Sequence, residues 1–256
     1  MKVKFFAVLA VTALLSGCAG NKAAEELVNT NQTAQQSYNE AKAVLDSGLY
    51  SRAIDLLKGM ESRYPFGPMA RQVQLDLIFA YSQSGDIKQS LASIDRFIRL
   101  NPNHPDLDYV YYMRGVTNLQ SDKNSFQEFF GIDRADRDMA STKQAFDDFK
   151  ILTRTYPNSK YSADGQARMT FIKEKLARHE LLVADYYSRR GAHLAAANRA
   201  KYIVEFYRDS PQVAEALQLM VTSYDALGLT KLRDDAKAVL ALNFPQAEVP
   251  EPTAAN

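Results

Sequence analysis

The feature that most constrains this chain is a spacing. Three times a glycine is followed 17 positions later by a proline: Gly48 and Pro65, Gly85 and Pro102, Gly228 and Pro245. Other residues keep step with it. A tyrosine stands four positions before Gly85, Gly191 and Gly228, as Tyr81, Tyr187 and Tyr224. An alanine stands five positions after Gly48 and Gly191, as Ala53 and Ala196, and Ala145 precedes Pro157 by the same 12 positions that separate Ala53 from Pro65. These are the needs of a helix pair. Glycine ends the first helix in the left-handed conformation that side chains make costly. The small residue lets the second helix approach the first, and the aromatic fills the gap. Proline stops the second helix, because its ring clashes with the preceding turn. Apolar residues recur at helical spacing between these marks. The chain is therefore expected to be all-α and built of tandem helix pairs.

A unit of this length resembles the tetratricopeptide repeat, whose period is about 34 residues. The expected fold is an all-α tetratricopeptide-repeat superhelix of about five helix pairs over 35–245. Its units fall at about 34–65, 70–102, 106–157, 162–209 and 212–245. The third departs from the period: Gly115 is expected to close its first helix, the second starts only near Ser141, and 120–139 form an insertion. In the fourth, Ala163–Arg190 reads as one unbroken helix, about 40 Å long at 1.5 Å per residue. Residues 246–256 read as a disordered tail.

The N-terminus carries an address. Lys2 and Lys4 precede an apolar run from Phe5 to Leu15 that only Thr12 interrupts. That run is shorter than the ~20 residues a membrane span requires, and it fits the apolar region of a signal peptide over 1–17. Leu15-Ser16-Gly17-Cys18 follows and resembles the bacterial lipobox. The resemblance implies that Cys18 becomes a lipidated N-terminus with three acyl chains, ahead of a small, polar tether over 18–34. Multiple chains at about 0.8 kcal/mol per buried methylene anchor stably. Ala19, where an inner-membrane retention signal would have Asp, implies outer-membrane sorting. The bland alternative is a secreted protein with an incidental cysteine, but this is the chain's only Cys.

Composition excludes several classes. With 31 Lys+Arg against 30 Asp+Glu the net charge is +1, which lacks the basic excess of a nucleic-acid binder. One Cys and three His leave no set for a Cys/His zinc site. No phosphate loop, HExxH or GxSxG occurs. His104 lies in an Asn-Pro-Asn-His-Pro turn, His179 on the long helix and His193 at a helix start; each reads as a capping, surface or packing residue. Asp133, Asp136 and Asp138 are interleaved with Arg134 and Arg137, which is a self-pairing surface segment rather than a calcium loop. Phe126, Phe129, Phe130 and Ile132 allow two readings, a partner-binding face or a short helix folded back on its own unit, and the second avoids an exposed aromatic patch. The chain is expected to be a non-enzymatic binding protein with no metal or cofactor beyond the lipid on Cys18.

Particular strings sharpen this. They are RYPFGP at 63–68, QVQLDLIFAY at 72–81, IDRFIRLNPNHP at 94–105, DYVYYMRGVTN at 108–118, FFGIDRADRD at 129–138, YPNSKY at 156–161 and VADYYSRRGA at 183–192. With the lipobox, they resemble the BamD family, the tetratricopeptide lipoproteins of the β-barrel assembly machinery. The resemblance runs from the lipobox to about residue 245 and is weakest in 19–34 and the last unit. It implies a periplasmic scaffold anchored in the outer membrane. It implies binding to the POTRA domains of the barrel subunit BamA through C-terminal repeats, and to accessory lipoproteins such as BamC. It also implies that N-terminal repeats receive the C-terminal targeting segment of unfolded outer-membrane proteins.

On that resemblance, Arg199 is the expected contact to BamA, extended by Arg189 and Arg190. Its planar five-donor fork suits a partner carboxylate. Arg199→Glu is accordingly expected to weaken that association with little change in the thermal melt. The targeting segment ends in an aromatic residue and a free carboxylate, so its pocket needs aromatic surface and a cation. The candidates are Tyr64, Phe66, Gln74, Tyr81, Tyr109, Tyr112 and Arg114, with Arg114 or Arg71 supplying the charge. Tyr81 also occupies the repeat's own packing position. Two other classes compete: a pilotin-like repeat lipoprotein escorting a secretin, against which the insertion and turn strings weigh, and a cell-wall hydrolase with an atypical site.

Overall fold

The computed structural model describes residues 33–123 and 139–248. The signal peptide, Cys18, most of the tether, the insertion's Phe126, Phe129, Phe130, Ile132, Asp133, Asp136 and Asp138, and the tail from 249 lie outside the described residues. Ten helices and no strand occur among the described residues: α1 (Ala34–Asp46), α2 (Tyr50–Arg63), α3 (Pro68–Ser84), α4 (Ile87–Leu100), α5 (Leu107–Lys123), α6 (Ala140–Thr155), α7 (Ser162–Arg189), α8 (His193–Phe206), α9 (Val213–Ala226) and α10 (Thr230–Asn243). Consecutive helices pack as five pairs, α1 with α2, α3 with α4, α5 with α6, α7 with α8 and α9 with α10.

Four of the pairs turn by one device. Gly48, Gly85, Gly191 and Gly228 hold φ between 68° and 81°. At each, the glycine N–H donates to the carbonyl three residues back, and the next N–H reaches the carbonyl five residues back: Leu49 to Val44, Asp86 to Tyr81, Ala192 to Tyr187 and Leu229 to Tyr224. This is the Schellman closure, and the recurring tyrosine is the residue whose carbonyl accepts its longer bond. Across the turn the small residue works as expected: Ala53, Ala145 and Ala196 are fully buried, and Ser90 takes the place of alanine in the second pair. The second helices α2, α6 and α10 end on an aromatic, Tyr64, Tyr156 and Phe244, each followed by proline. Helix α8 ends on Tyr207 without one, and the bond from the Ser210 N–H to the Tyr207 carbonyl makes the reversal there.

Gly115 departs from expectation. It does not close a helix; it lies inside α5, which continues to Lys123. A Cβ at Gly115 would sit 2.7 Å from the Phe149 ring. Its role is to let α6 press an aromatic against the α5 backbone.

The chain divides into two units, one ending at Leu100 and one beginning at Asn101. In the first, Leu45, Leu56, Leu57, Met60, Val73 and Leu77 form the centre of a core between α1, α2 and α3. In the second, Phe149, Leu152, Ile172, Leu176, Ile203, Leu217 and Leu240 run through α6 to α10. Helix α7 has 28 residues, about 42 Å by its rise. Beyond the last helix the chain is held for a few residues: Ala247 packs on the core and the Glu248 carbonyl accepts a 2.7 Å bond from Gln218 Nε2.

Candidate partner-binding surfaces

In the first unit, α2, α3 and α4 enclose a groove. Leu77 and Phe97, both nearly fully buried, form its floor, and Tyr81 forms a wall. Gln74 lines it, as do Lys58, Gln89, Ser93 and Arg96. Arg96 pairs with Glu61 at 3.2 Å on the exposed rim, where solvent weakens such a pair. With Lys58 and Arg96 set against Glu61, the groove keeps a net positive rim. Burial pushes the Tyr81 phenol up, and the carboxylates of Glu61, Asp86 and Asp55 add to this, so it stays a neutral donor.

Of the expected pocket residues in this unit, Gln74 and Tyr81 line the groove. Tyr64 caps α2 and packs on the core instead. Arg71 is half-buried on α3. Phe66 does neither: it stands 90% exposed on the turn between α2 and α3, held by Pro65, Gly67 at φ 96° and Pro68. Lys58 and Arg96 escaped the sequence reading, because a lysine and an arginine on a helix carry no signal until the facing helix is known.

Tyr109, Tyr112 and Arg114 belong to the second unit. There Tyr112 stacks on Tyr161 with centroids 4.8 Å apart, and Tyr109 meets the same ring at 5.6 Å. Arg168 lies over Tyr112 at 5.8 Å and pairs with Asp164. Burial first, then a hydrogen bond to Asp164, raise the Tyr112 phenol. Ser159 Oγ donates to Asp108 at 2.6 Å, tying the YPNSKY turn to the start of α5. Arg114 is not an open cation. Its Nε donates at 2.7 Å to Asp148, a fully buried carboxylate that also accepts from Asn118 and Gln144. Burial pushes the Asp148 carboxyl up, and Arg114 opposes that shift. The expectation that Arg114 supplies a free charge for a substrate carboxylate is therefore corrected: its charge is committed inside its own helix pair.

At the junction of α7 and α8, Arg199 Nη1 donates at 2.9 Å to Glu180, which is 5% exposed, while the Arg199 side chain stays about half exposed. Arg199 thus offers one edge of its fork outward and anchors a buried carboxylate with the other. Arg189 pairs with Asp185 at 3.0 Å, and Arg190 donates to the Tyr186 hydroxyl at 2.9 Å while lying over its ring. Helix α8 also shows a second apolar face. Ala196, Ala197, Ala200 and Ile203 are buried, yet Leu194, Tyr202 and Phe206 are exposed, with the last two rings 4.4 Å apart. Their i, i+8, i+12 spacing puts them on one stripe beside Arg199. No group of three or more His, Cys, Asp or Glu able to hold a metal occurs among the described residues.

Comparison with known proteins gives these surfaces a context. A family model described as outer membrane lipoprotein (YfiO) matches residues 30–240. The chain is similar to outer membrane protein assembly factor BamD of Vibrio cholerae, 42% identical over 95% of this chain and 99% of that one. It is 39% identical to the Haemophilus influenzae BamD over 94% of this chain and 91% of that one. It is 38% identical to BamD of Neisseria meningitidis serogroup A over 91% and 88%. A solved structure of TPR-like repeats from a putative Podosopora anserina kinesin light chain aligns with 83% of this chain and 96% of its own, at 12% identity and a TM-score of 0.36.

Proposed function

The chain belongs to the BamD family of outer-membrane lipoproteins, and we propose accordingly that it is a non-enzymatic scaffold in the assembly of outer-membrane β-barrel proteins. The observation that carries this is the identity of 42% extending over nearly the whole of both chains. A helix-pair array suits such a role, because stacked pairs present continuous surface to protein partners without needing a reactive centre.

The finer assignment draws on the surfaces of each unit. The barrel subunit's POTRA region docks on α8, where Arg199 meets a carboxylate and Leu194, Tyr202 and Phe206 give an apolar stripe beside it. A central arginine with aromatic neighbours is the usual composition of an interface hot spot. Arg189 and Arg190 lie at the rim. The C-terminal segment of an unfolded outer-membrane protein enters the groove of the first unit. Its terminal aromatic lies on Leu77, Phe97 and Tyr81, Gln74 reads its main chain, and Lys58 and Arg96 take its carboxylate in place of Arg114. Phe66 is an outlying aromatic contact on the first unit, and Tyr109 and Tyr112 are candidate aromatic contacts on the second unit alone. Accessory lipoproteins such as BamC bind elsewhere on the array, and the lipid on Cys18 holds the chain to the periplasmic face of the outer membrane.

The test is a mild-detergent pull-down of the tagged, lipidated chain with mass spectrometry of what co-purifies. A POTRA-containing barrel protein is expected. Recovery of a secretin instead would favour the pilotin-like alternative and sink the assembly reading.

A further inference from the structure

A second groove lies in the other unit, between α7 and α9. Its floor is aliphatic, from Leu181 and Leu219. Its rim is acidic: Asp185 from α7, Glu215 from the first turn of α9, and Glu248 from the strap that follows α10. No lysine or arginine lines it. Asp185 is engaged by Arg189, but that pair is exposed on both sides and strongly screened. Glu215 and Glu248 form no ion pair among the described residues. The strap is fixed rather than loosely trailing, since Ala247 packs on the core and Gln218 holds the Glu248 carbonyl. The bond from Gln218 places a side-chain amide donor on a main-chain carbonyl at this face of α9.

We propose that this groove is a docking site for an extended partner segment bearing a Lys or Arg beside a small aliphatic side chain. The charge argument selects the occupant. The chain's own residues 249–256, VPEPTAAN, carry a further carboxylate and no cation, so their sequence lacks the charge that complements this rim. A cationic segment gains from all three carboxylates and covers the leucines. This contact has the opposite polarity to the one around Arg199, so the two together fix the orientation of a partner that touches both. The inference rests on the assembly reading proposed for the chain.

The experiment places a photoreactive phenylalanine analogue at Thr222, which lines the groove, and separately at Asn198 on the exposed stripe of α8, in the full lipidated chain. Crosslinked peptides are sequenced. The expected result is a Thr222 adduct whose partner peptide holds a Lys or Arg within about three residues of the link, the reach of a long cationic side chain. Alongside it, the E215Q/E248Q variant should bind the partner about fivefold more weakly and with a flatter dependence on salt. An adduct at Asn198 with none at Thr222 would overturn the groove while leaving the assembly reading intact. So would an adduct to a segment without a cation, or unchanged binding by E215Q/E248Q. Loss of the barrel subunit from the unsubstituted chain's pull-down would instead overturn the assembly reading, and the groove proposal with it.

Discussion

Arg199 serves its own fold and faces outward at once, and this changes what its substitution should do. Sequence reasoning treats it as a surface cation whose reversal leaves the melt alone. Glu180 is nearly buried and finds its charge partner in Arg199. Arg199→Glu leaves that carboxylate unpaired and adds a second one beside it, so a loss of about 1–3 kcal/mol is expected. Thermal melts of Arg199→Glu and of the swapped pair E180R/R199E separate the roles: the swap should recover most of the midpoint without recovering partner association. Equal recovery of both would mean Arg199 reaches the partner only through the stability of α7 and α8. A second residue-scale consequence concerns Asp76, whose carboxylate accepts the Tyr38 hydroxyl at 2.7 Å. Burial raises its pKa above the ordinary 3.8, with the Tyr38 bond opposing. The folded chain therefore holds that proton to a higher pH than the unfolded chain does. The stability it contributes is present in full below 3.8 and falls as the pH rises through the folded value. Asp76→Asn keeps an acceptor for Tyr38 and should flatten that part of a midpoint-against-pH curve; an unchanged slope would exclude Asp76 as its source.

At the scale of the helix, Gly115 is the instructive position. A methyl group there would meet three ring carbons of Phe149 at 2.7–2.9 Å. Gly115→Ala should cost about 1–3 kcal/mol by overpacking. Adding Phe149→Leu, which withdraws those ring atoms, should return part of it in denaturant titrations. If Gly115→Ala proved neutral, α5 and α6 would have to be free to part. The same residue shows what the sequence could and could not say. Gly48, Gly85, Gly191 and Gly228 were legible because a left-handed cap recurs with companions at fixed offsets: a tyrosine four positions before three of them and a small residue five positions after three of them. Gly115 shares the tyrosine, at Tyr111, and the warnings were Gln120 five positions on, where three of the four capping glycines have a small residue, and Ile132 rather than proline 17 positions on. Packing glycines have no periodic signature, since their partner comes from another helix. For that reason the commitment of Arg114 to Asp148, 34 residues away, was invisible, as was the meeting of Lys58, Gln74 and Arg96 around one groove. The exposed stripe on α8 did leave a trace. Leu194, Tyr202 and Phe206 form a second apolar face on a helix that already has one, more apolar surface than a single core can use.

At the scale of the whole chain, the proposed lipid on Cys18 implies that attachment and architecture can be separated by experiment. Among the described residues no helix is long and apolar enough to cross a membrane. On the proposed lipid anchor, Cys18→Ser is expected to shift the chain from the outer-membrane fraction to the soluble periplasmic fraction while its circular dichroism stays that of a folded helical protein. Persistence in the membrane pellet after salt and urea washing would mean that a surface of the array, not the lipid, holds it there. The pairing pattern bears on how such a chain comes to be folded at all. Within each unit a helix packs chiefly on the one before it and the one after it, and four of the five reversals within pairs are closed by their own glycine. No hairpin among the described residues waits on a distant strand or a late-arriving terminus for its partner. A chain threaded across a membrane from its N-terminal end can thus set each pair as it emerges, and the stretch of sticky leucines exposed at any moment is never much longer than one repeat.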